Sequence, residues 1–255
     1  MGKLFDLSGR CALVTGGGRG LGRAIAVGLA DHGADVAVTS RTLEELEETA
    51  EAVRSTGRRC LVVPGDARSK ADVTAVVGAV DAEWGRLDIL VNNAGVDAAA
   101  PAIDYSEDDW DFVMDVNLKG YFLFAQAAAK VMIARGNGGT IANNSSICGA
   151  TALKNIVAYN ASKGGVNMLT RSLALEWAAN DIRVNAFSPA FMEVFMPGAA
   201  GQHDEARERE IRELTPLARR GRAEELVGPV VFLCSDASSY VTGEVLMVDG
   251  GWTIR

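Results

Sequence analysis

Three residues of the chain have side chains and spacing that suit proton transfer. Tyr159 and Lys163 are four residues apart, and Ser146 lies thirteen residues before Tyr159. Residues i and i+4 share one face of an α-helix, so we expect the phenol and the amine to be neighbours. A nearby ammonium group favours the phenolate and lowers the phenol pKa from about 10. A tyrosine tuned in this way can exchange a proton with an alcohol oxygen near neutral pH.

A glycine-rich turn at residues 15–22 suggests the reaction partner of this tyrosine, because it joins the first predicted strand to the first predicted helix. Glycines let the backbone approach a pyrophosphate, and the helix N-terminus supplies N–H donors and a positive dipole end. Such turns also occur for structural reasons, but the strand–turn–helix position favours dinucleotide binding. The residues of this turn that we predict to bind the cofactor are Gly16, Gly18, Arg19, Gly20, Leu21 and Gly22.

The residues after the second predicted strand indicate which dinucleotide is bound. An acid there accepts a hydrogen bond from the ribose 2′-hydroxyl of NAD and repels a 2′-phosphate. The sequence has Ser40 and Arg41 instead, with Arg19 in the glycine turn. Guanidinium groups pair well with phosphate, so we predict NADP as the cofactor and NAD as the second choice. The alternative is that both arginines simply face solvent.

The fold that positions these residues is predicted from short β-rich segments that alternate with longer amphipathic ones. Alternation of this kind is typical of an α/β fold, here a doubly wound Rossmann domain with a parallel seven-stranded sheet. Residues 42–45 match a capping box at a helix start. The predicted strands are 11–15, 35–40, 60–64, 87–92, 140–144, 183–187 and 244–248, and the predicted helices are 21–32, 42–56, 70–84, 107–135 and 158–179.

Composition limits the class of protein. The chain has 255 residues and is 48% hydrophobic, so we predict one domain over 1–255. A net charge of -8 argues against nucleic acid or an anionic membrane as a partner. The absence of a long apolar run and of paired cysteines predicts a cytoplasmic protein. With His32 and His203 as the histidines, we predict no histidine-rich metal site. Residues 193–216 interrupt the pattern and predict a substrate lid, with a solvated loop as the alternative.

These motifs together resemble the short-chain dehydrogenase/reductase family, and the resemblance covers essentially the whole chain. Each motif is weak by itself, whereas their order along the chain is highly specific. Further matching pieces are Asp66, residues 92–95, Asn117, residues 145–146, residues 185–189 and residues 248–251.

The resemblance implies a role for each catalytic residue. Ser146 would hold the substrate carbonyl, and Tyr159 would be the acid in reduction and the base in oxidation. Lys163 would hold the nicotinamide ribose, and Asn117 would position a water that links Lys163 to solvent. Structural alternatives are a turn cap for Ser146 and a buried amide for Asn117.

The resemblance also implies the rest of the cofactor site. Asp66 would contact the adenine, with the start of a turn as the alternative, and residues 93–95 would form the floor. The complete set outside the glycine turn is Ser40, Arg41, Asp66, Ala67, Asn93, Ala94, Gly95, Tyr159, Lys163, Pro189 and Met192. The chain departs from the family pattern at Ala190, which is usually glycine, at Val194, which is usually threonine, and at Asn144, which is usually apolar.

The function implied by the resemblance is hydride transfer between NADP(H) and a carbonyl or secondary alcohol, in a homotetramer. Polar residues near the catalytic serine, such as Asp97 and Asn155, favour a sugar, polyol or keto-acid substrate. One alternative is a 3-oxoacyl carrier-protein reductase, for which Lys130 and Arg135 would provide a basic docking patch. A second, from another class, is a non-catalytic dinucleotide sensor, although a sensor has no need of Tyr159.

Overall fold

The computed structural model describes residues 3–194 and 205–254, and its central feature is one parallel sheet. The strands are β1 (Cys11–Thr15), β2 (Asp35–Thr39), β3 (Cys60–Val62), β4 (Ile89–Asn92), β5 (Gly139–Asn144), β6 (Ile182–Pro189) and β7 (Val245–Val248). Their order in the sheet is β3-β2-β1-β4-β5-β6-β7, and every neighbouring pair is parallel. The prediction of a doubly wound, seven-stranded parallel sheet is confirmed.

Helices cover both faces of this sheet. They are α1 (Gly20–Asp31), α2 (Leu43–Ser55), α3 (Lys70–Trp84), α4 (Glu107–Met114), α5 (Gly120–Arg135), α6 (Val157–Trp177), α7 (Glu205–Leu214) and α8 (Val227–Cys234). Side chains of α1, α2 and α8 form one core with the sheet, and side chains of α3, α5 and α6 form another on the opposite face. The sequence pattern predicts neither α7, which is highly charged, nor α8, which is apolar on all sides and so lacks helical periodicity.

The strand order reverses between β1 and β4, which are parallel neighbours and have their carboxyl ends on the same side of the sheet. At such a point the loops after the two strands run in opposite directions and open a crevice beyond their carboxyl ends. The glycine turn follows β1, and residues 93–95 follow β4. The fold therefore brings the two predicted halves of the cofactor site to one crevice.

The start of α2 differs from its prediction. Thr42 is the N-cap residue, but within the described chain its side chain makes no capping hydrogen bond. The Glu45 carboxylate forms an ion pair with Arg19 of the glycine turn, with an N–O distance of 3.2 Å. The predicted capping box is therefore wrong, because Glu45 is oriented towards the glycine turn rather than towards the helix start.

The predicted helix at 107–135 is interrupted in the middle. Residues Asp115–Lys119 form a π-helical turn between α4 and α5. A π turn contains one residue more than an α turn and is often found at functional sites. Asn117 lies within this turn, which explains why an uninterrupted helical pattern does not predict where its side chain points.

The predicted lid at 193–216 is described only in part, because residues 195–204 lie outside the described residues. Its described C-terminal part contains α7. In the ranges 3–194 and 205–254, no helix has the length and apolar character needed to cross a membrane.

Candidate active site

Tyr159 and Lys163 lie one turn apart on α6, as their spacing predicts. The Lys163 Nζ atom is 5.5 Å from the centroid of the Tyr159 ring. Lys163 is buried, whereas Tyr159 is partly exposed. The helix thus brings an amine and a phenol together and leaves part of the phenol accessible to a ligand.

Ser146 lies just beyond the end of β5, next to this pair. Its hydroxyl accepts a hydrogen bond from the Cys148 backbone N–H at 3.2 Å, which caps the short 3-10 turn Ile147–Gly149. Ser146 also lies close enough to Tyr159 to lower the pKa of the phenol. The turn-capping role and the position beside Tyr159 therefore coexist in one residue.

The amine of Lys163 has its described partners in the protein interior. Its Nζ atom donates to the Asn144 carbonyl at 2.6 Å and approaches the Tyr121 hydroxyl at 3.4 Å. The Tyr121 hydroxyl in turn donates to the same carbonyl at 3.2 Å. Tyr121 is a fully buried member of α5, and sequence reasoning did not select it, because its position four residues after Asn117 has no distinctive motif.

The direction of the Tyr159 pKa differs from the sequence-based expectation. Burial raises the pKa of Tyr159 well above its ordinary value of 10, and the neighbouring Ser146 side chain offsets only part of this effect. Burial also lowers the pKa of Lys163 to about 7. The expectation of a lowered Tyr159 pKa is therefore wrong for this structure, since desolvation disfavours both the phenolate and the ammonium.

Asn117 connects the loop after β4 to α6. Its amide nitrogen donates to the Val96 carbonyl at 2.8 Å, and its amide oxygen accepts from the Val96 N–H at 2.9 Å. The same amide nitrogen approaches the Ser162 hydroxyl at 3.3 Å. Asn117 therefore acts as a buried structural amide, which was the alternative interpretation of the sequence. Its two hydrogen bonds hold the loop at Val96, directly before Asp97.

Asp97 is a buried acid close to the catalytic hydroxyls. Burial raises the pKa of its carboxyl to about 6. Its charge acts on both Cys148 and Tyr159 and raises the pKa of each. Perturbed acids beside a candidate proton donor are frequent at functional sites, and Asp97 is therefore part of this one.

The glycine turn packs closely against the loop after β4. Gly16 has φ +63°, and a Cβ atom built there would lie 2.8 Å from the Cα atom of Ala94. Asn93 holds the two loops together, because its amide nitrogen donates to the carbonyls of Thr15 and Gly16 at 3.0 and 3.3 Å. A larger residue at position 16 would therefore push these loops apart.

An elongated cavity follows the crevice at this edge of the sheet. The predicted cofactor residues that line it are Gly16, Gly18, Arg19, Gly20, Leu21, Gly22, Ser40, Arg41, Asp66, Ala67, Asn93, Ala94 and Gly95. Residues that line it without having been predicted are Thr15, Thr39, Thr42, Glu45, Gly65, Val96, Val116, Phe124, Asn144 and Val194. The cavity reaches Asn144, whose carbonyl accepts a hydrogen bond from the Lys163 amine, whereas Tyr159 and Lys163, which were also predicted to bind the cofactor, are not among its described lining residues.

The charges at the β2 end of this cavity are more balanced than the sequence suggested. Arg41 is exposed at the cavity edge, whereas Arg19 pairs with Glu45. The Asp66 carboxylate accepts hydrogen bonds from the Arg68 guanidinium and backbone N–H, which holds the pKa of Asp66 below its ordinary value. Asp66 therefore does begin a turn, as the alternative proposed, while it also lines the cavity.

The segment at the end of β6 contributes a different residue to the cofactor cavity from those predicted. In the described chain, Pro189 and Met192 do not line the cofactor cavity; Pro189 pairs with Val248 of β7, and Met192 packs into the core. Val194 is the residue of this segment that lines the cavity. Ala190 is not among the described residues with positive φ, so its departure from glycine introduces no backbone strain.

The cavity wall contains polar atoms that suit a polar ligand. Among the described residues, Thr39 Oγ1, Ser40 Oγ and Asn144 Oδ1 are buried and have no hydrogen-bond partner. All three residues line the cavity, and an unpaired buried polar atom is costly. A dinucleotide, with its ribose hydroxyls and phosphates, fits this wall. In ranges 3–194 and 205–254, no cluster of three or more His, Cys, Asp or Glu side chains is arranged to hold a metal ion.

Comparison with known proteins gives full-length similarities. A family model described as enoyl-(acyl carrier protein) reductase matches residues 16–253. The chain is 43% identical to 2-dehydro-3-deoxy-D-gluconate 5-dehydrogenase of Escherichia coli (strain K12), over 98% of each chain. It is 40% identical to a solved gluconate 5-dehydrogenase from Burkholderia cenocepacia J2315 in complex with NADP and tartrate, with a TM-score of 0.95 and coverage of 99% and 98%. A short-chain type dehydrogenase/reductase structure from Mycobacterium marinum is 35% identical, with a TM-score of 0.91 and the same coverage.

Proposed function

Because the chain belongs to the short-chain dehydrogenase/reductase family, we propose that it interconverts a secondary alcohol and a ketone of a sugar acid with NADP(H). The observation that carries this proposal is the position of the Tyr159 ring beside both Ser146 and the Lys163 amine, whose Nζ atom is 5.5 Å from the ring centroid. Relatives named for gluconate and for its 2-dehydro-3-deoxy derivative support the substrate class.

The roles of the protein residues follow from their positions. The bound cofactor supplies or accepts the hydride, so the protein has to orient the substrate and move one proton. Ser146 donates a hydrogen bond to the substrate oxygen, and Tyr159 gives that oxygen a proton in reduction or removes it in oxidation. Because burial raises the pKa of Tyr159, the phenol carries the proton that carbonyl reduction requires.

The choice of NADP rests on the β2 end of the cavity. Ser40 has a buried hydroxyl without a partner among the described residues, and Arg41 is exposed next to it. A 2′-phosphate would accept hydrogen bonds from both groups. The NADP that is named in the Burkholderia cenocepacia J2315 complex supports the same choice.

The substrate would occupy the space next to Tyr159 and Asp97. A buried carboxyl such as Asp97 accepts hydrogen bonds from hydroxyl groups, which a sugar acid has on most of its carbons. The lid at 193–216 belongs to this proposal. In its described part, the guanidinium of Arg207 lies over the Phe191 ring at 5.8 Å and forms an ion pair with Glu210 at 2.7 Å.

Three further properties complete the proposal. Residues 1–255 act as one catalytic domain, the enzyme works in the cytoplasm, and it assembles as a homotetramer. The docking patch of a carrier-protein reductase finds less support, because Arg135 forms an ion pair with Asp81 at 2.9 Å. A non-catalytic sensor also fits less well, since it would not need the contact between Ser146 and Tyr159.

The proposal is tested with the purified protein and a substrate panel, followed by NADPH absorbance in both directions. The panel contains D-gluconate, 5-keto-D-gluconate and 2-dehydro-3-deoxy-D-gluconate, with acetoacetyl-CoA as a surrogate for a carrier-protein substrate. Turnover of a sugar acid by wild type and not by Tyr159→Phe supports the proposal. Turnover of acetoacetyl-CoA alone would favour the carrier-protein alternative, and NADPH binding without any turnover would favour the sensor.

A further inference from the structure

Asn144 is a cavity residue with two acceptor atoms of interest, its main-chain oxygen and its side-chain Oδ1 atom. Its carbonyl oxygen accepts from the Lys163 amine at 2.6 Å. Its side-chain Oδ1 atom is buried and has no hydrogen-bond partner among the described residues. Asn144 is only 8% exposed and lines the cofactor cavity, so this unpaired acceptor belongs to the wall of a ligand site.

The orientation of the Asn144 amide is fixed by its neighbour. The Asn93 amide nitrogen donates to the Thr15 and Gly16 carbonyls, so the Asn93 oxygen must point the other way. That oxygen accepts a hydrogen bond from the Asn144 amide nitrogen at 2.9 Å. If the Asn144 amide were turned over, two oxygens would face each other. The atom of Asn144 that remains unpaired is therefore an acceptor, and it needs a donor.

We propose that Asn144 Oδ1 accepts a hydrogen bond from a hydroxyl of the nicotinamide ribose of the bound cofactor. This inference rests on the proposed NADP(H) function. A ribose hydroxyl can accept a hydrogen bond from one group while it donates to another. Lys163 supplies a donor and Asn144 Oδ1 an acceptor on neighbouring residues, because the Lys163 amine is bonded to the main-chain carbonyl of Asn144.

This assignment gives a role to Asn144, a position that is usually apolar in the family. The Lys163 amine and the Asn144 acceptor would both form hydrogen bonds with the nicotinamide ribose. Asn93 would connect Asn144 to the glycine turn, because its amide bonds to both. An apolar residue at 144 would leave only the lysine. Asn144 is thus a cofactor-binding residue that discriminates ligands with a second ribose from ligands without one.

The test compares three ligands that become shorter by one part at a time. NADPH has the second ribose and the nicotinamide, 2′-phospho-ADP-ribose keeps the ribose without the nicotinamide, and 2′-phospho-ADP keeps the pyrophosphate and lacks both. Their dissociation constants are measured by calorimetry for wild type and for Asn144→Leu, without any substrate. We expect Asn144→Leu to weaken NADPH and 2′-phospho-ADP-ribose by roughly five- to tenfold and to leave 2′-phospho-ADP within about twofold.

Two further variants keep the result interpretable. Asn144→Ala removes the same acceptor with a smaller side chain, so it should show the same selective loss of NADPH and 2′-phospho-ADP-ribose affinity even if Asn144→Leu is unstable. Asn167→Leu is the matched control, because both atoms of the Asn167 amide already have partners, Ser145 and Gly149. It should lower thermal stability without changing the ratio between the ligands.

The other outcomes overturn the inference in different ways. If only NADPH loses affinity, the partner of the Asn144 acceptor is the carboxamide of the nicotinamide and not the ribose. If all three ligands lose affinity equally, Asn144 acts indirectly, through Asn93 and the glycine turn. Unchanged affinities would leave no role for Oδ1. If wild type binds none of the three ligands, the proposed cofactor fails and this inference fails with it, whereas tight NADPH binding by both proteins rejects this inference alone.

Discussion

Lys163 donates its shortest hydrogen bond, 2.6 Å, to the main-chain carbonyl of Asn144, and not to Tyr159. The amine is thereby held at the end of β5 by an atom that no substitution at position 144 removes. Its pKa is lowered to about 7 by burial, so its charge varies over the range of pH in which cells work.

Removal of the Tyr159 hydroxyl should abolish most turnover. In Tyr159→Phe, the proton donor is lost and the ring remains, so we expect kcat to fall by roughly 10²- to 10⁴-fold. NADPH affinity, measured by fluorescence, should change little. The matched control is Tyr121→Phe, which removes a buried hydroxyl that contacts Lys163 without being the proposed donor, and its kcat should fall by less than about tenfold. Equal losses in both variants would contradict the assignment of Tyr159.

Lys163 should make the stability of the protein without cofactor depend on pH. Its pKa is about 7 in the folded chain and 10.5 as the ordinary value, so between these pH values the unfolded chain binds the additional proton. Stability from this group therefore falls as the pH decreases from 10.5 to 7, and the effect levels off below 7. In Lys163→Met this dependence is absent.

The corresponding measurement is thermal unfolding of both proteins at pH 7 and pH 10. We expect the Tm of Lys163→Met minus that of wild type to become more positive at the lower pH, by roughly 2–4 °C for each kcal/mol of relieved burial. A difference that stays constant with pH would show that the amine is charged in the folded protein throughout.

Asp97 should set the pH at which alcohol oxidation becomes effective. Its carboxyl ionises as the pH rises through about 6, and the negative charge raises the pKa of Tyr159. In Asp97→Asn the phenolate forms more readily, so the rising limb of the kcat profile for oxidation should move to lower pH. Asp104→Asn, a change at an exposed acid of the same loop, should leave the profile in place. A shift to higher pH would contradict this coupling.

Cofactor preference should respond in opposite directions to two substitutions at the β2 end. Arg41→Ala removes an exposed guanidinium beside Ser40, and we expect kcat/KM for NADPH to fall about tenfold with little change for NADH. Glu45→Gln releases Arg19 from its ion pair and removes a charge that repels phosphate, so the NADPH preference should increase. Both ratios are measured with one substrate at constant ionic strength. A preference for NADH in wild type that persists in Arg41→Ala would reject the NADP assignment.

The sequence was sufficient for the fold and for the position of most site residues. Apolar strands that alternate with helices determine the sheet, and the spacing of Tyr159 and Lys163 determines their shared face on α6. The environment of these residues was not predictable, because it arises from contacts between distant segments. The Asn144 carbonyl, the Tyr121 hydroxyl and the Glu45 carboxylate meet their partners only after the strands have assembled.

The pKa of Tyr159 was likewise not predictable from the sequence, because it depends on how the side chain is solvated. The spacing on a helix indicates that an amine is near the phenol, and it does not indicate how much water surrounds either group. Desolvation by the packed protein outweighs the charge that the spacing suggests, and so the direction of the shift reverses. Pro189 and Met192 remain predicted cofactor residues, and Val194 is the residue of the same segment that lines the described cavity.

The π turn at Asp115–Lys119 makes the number of residues in this stretch as important as their identity. Deletion of its extra residue would turn it into an ordinary α turn, so α5 would keep its orientation while the residues within the turn would change position. Asn117 would then lose its two hydrogen bonds to Val96, although Tyr121 would stay close to the Asn144 carbonyl. A single-residue deletion in this turn would therefore release the loop before Asp97 and leave the rest of the helix in place.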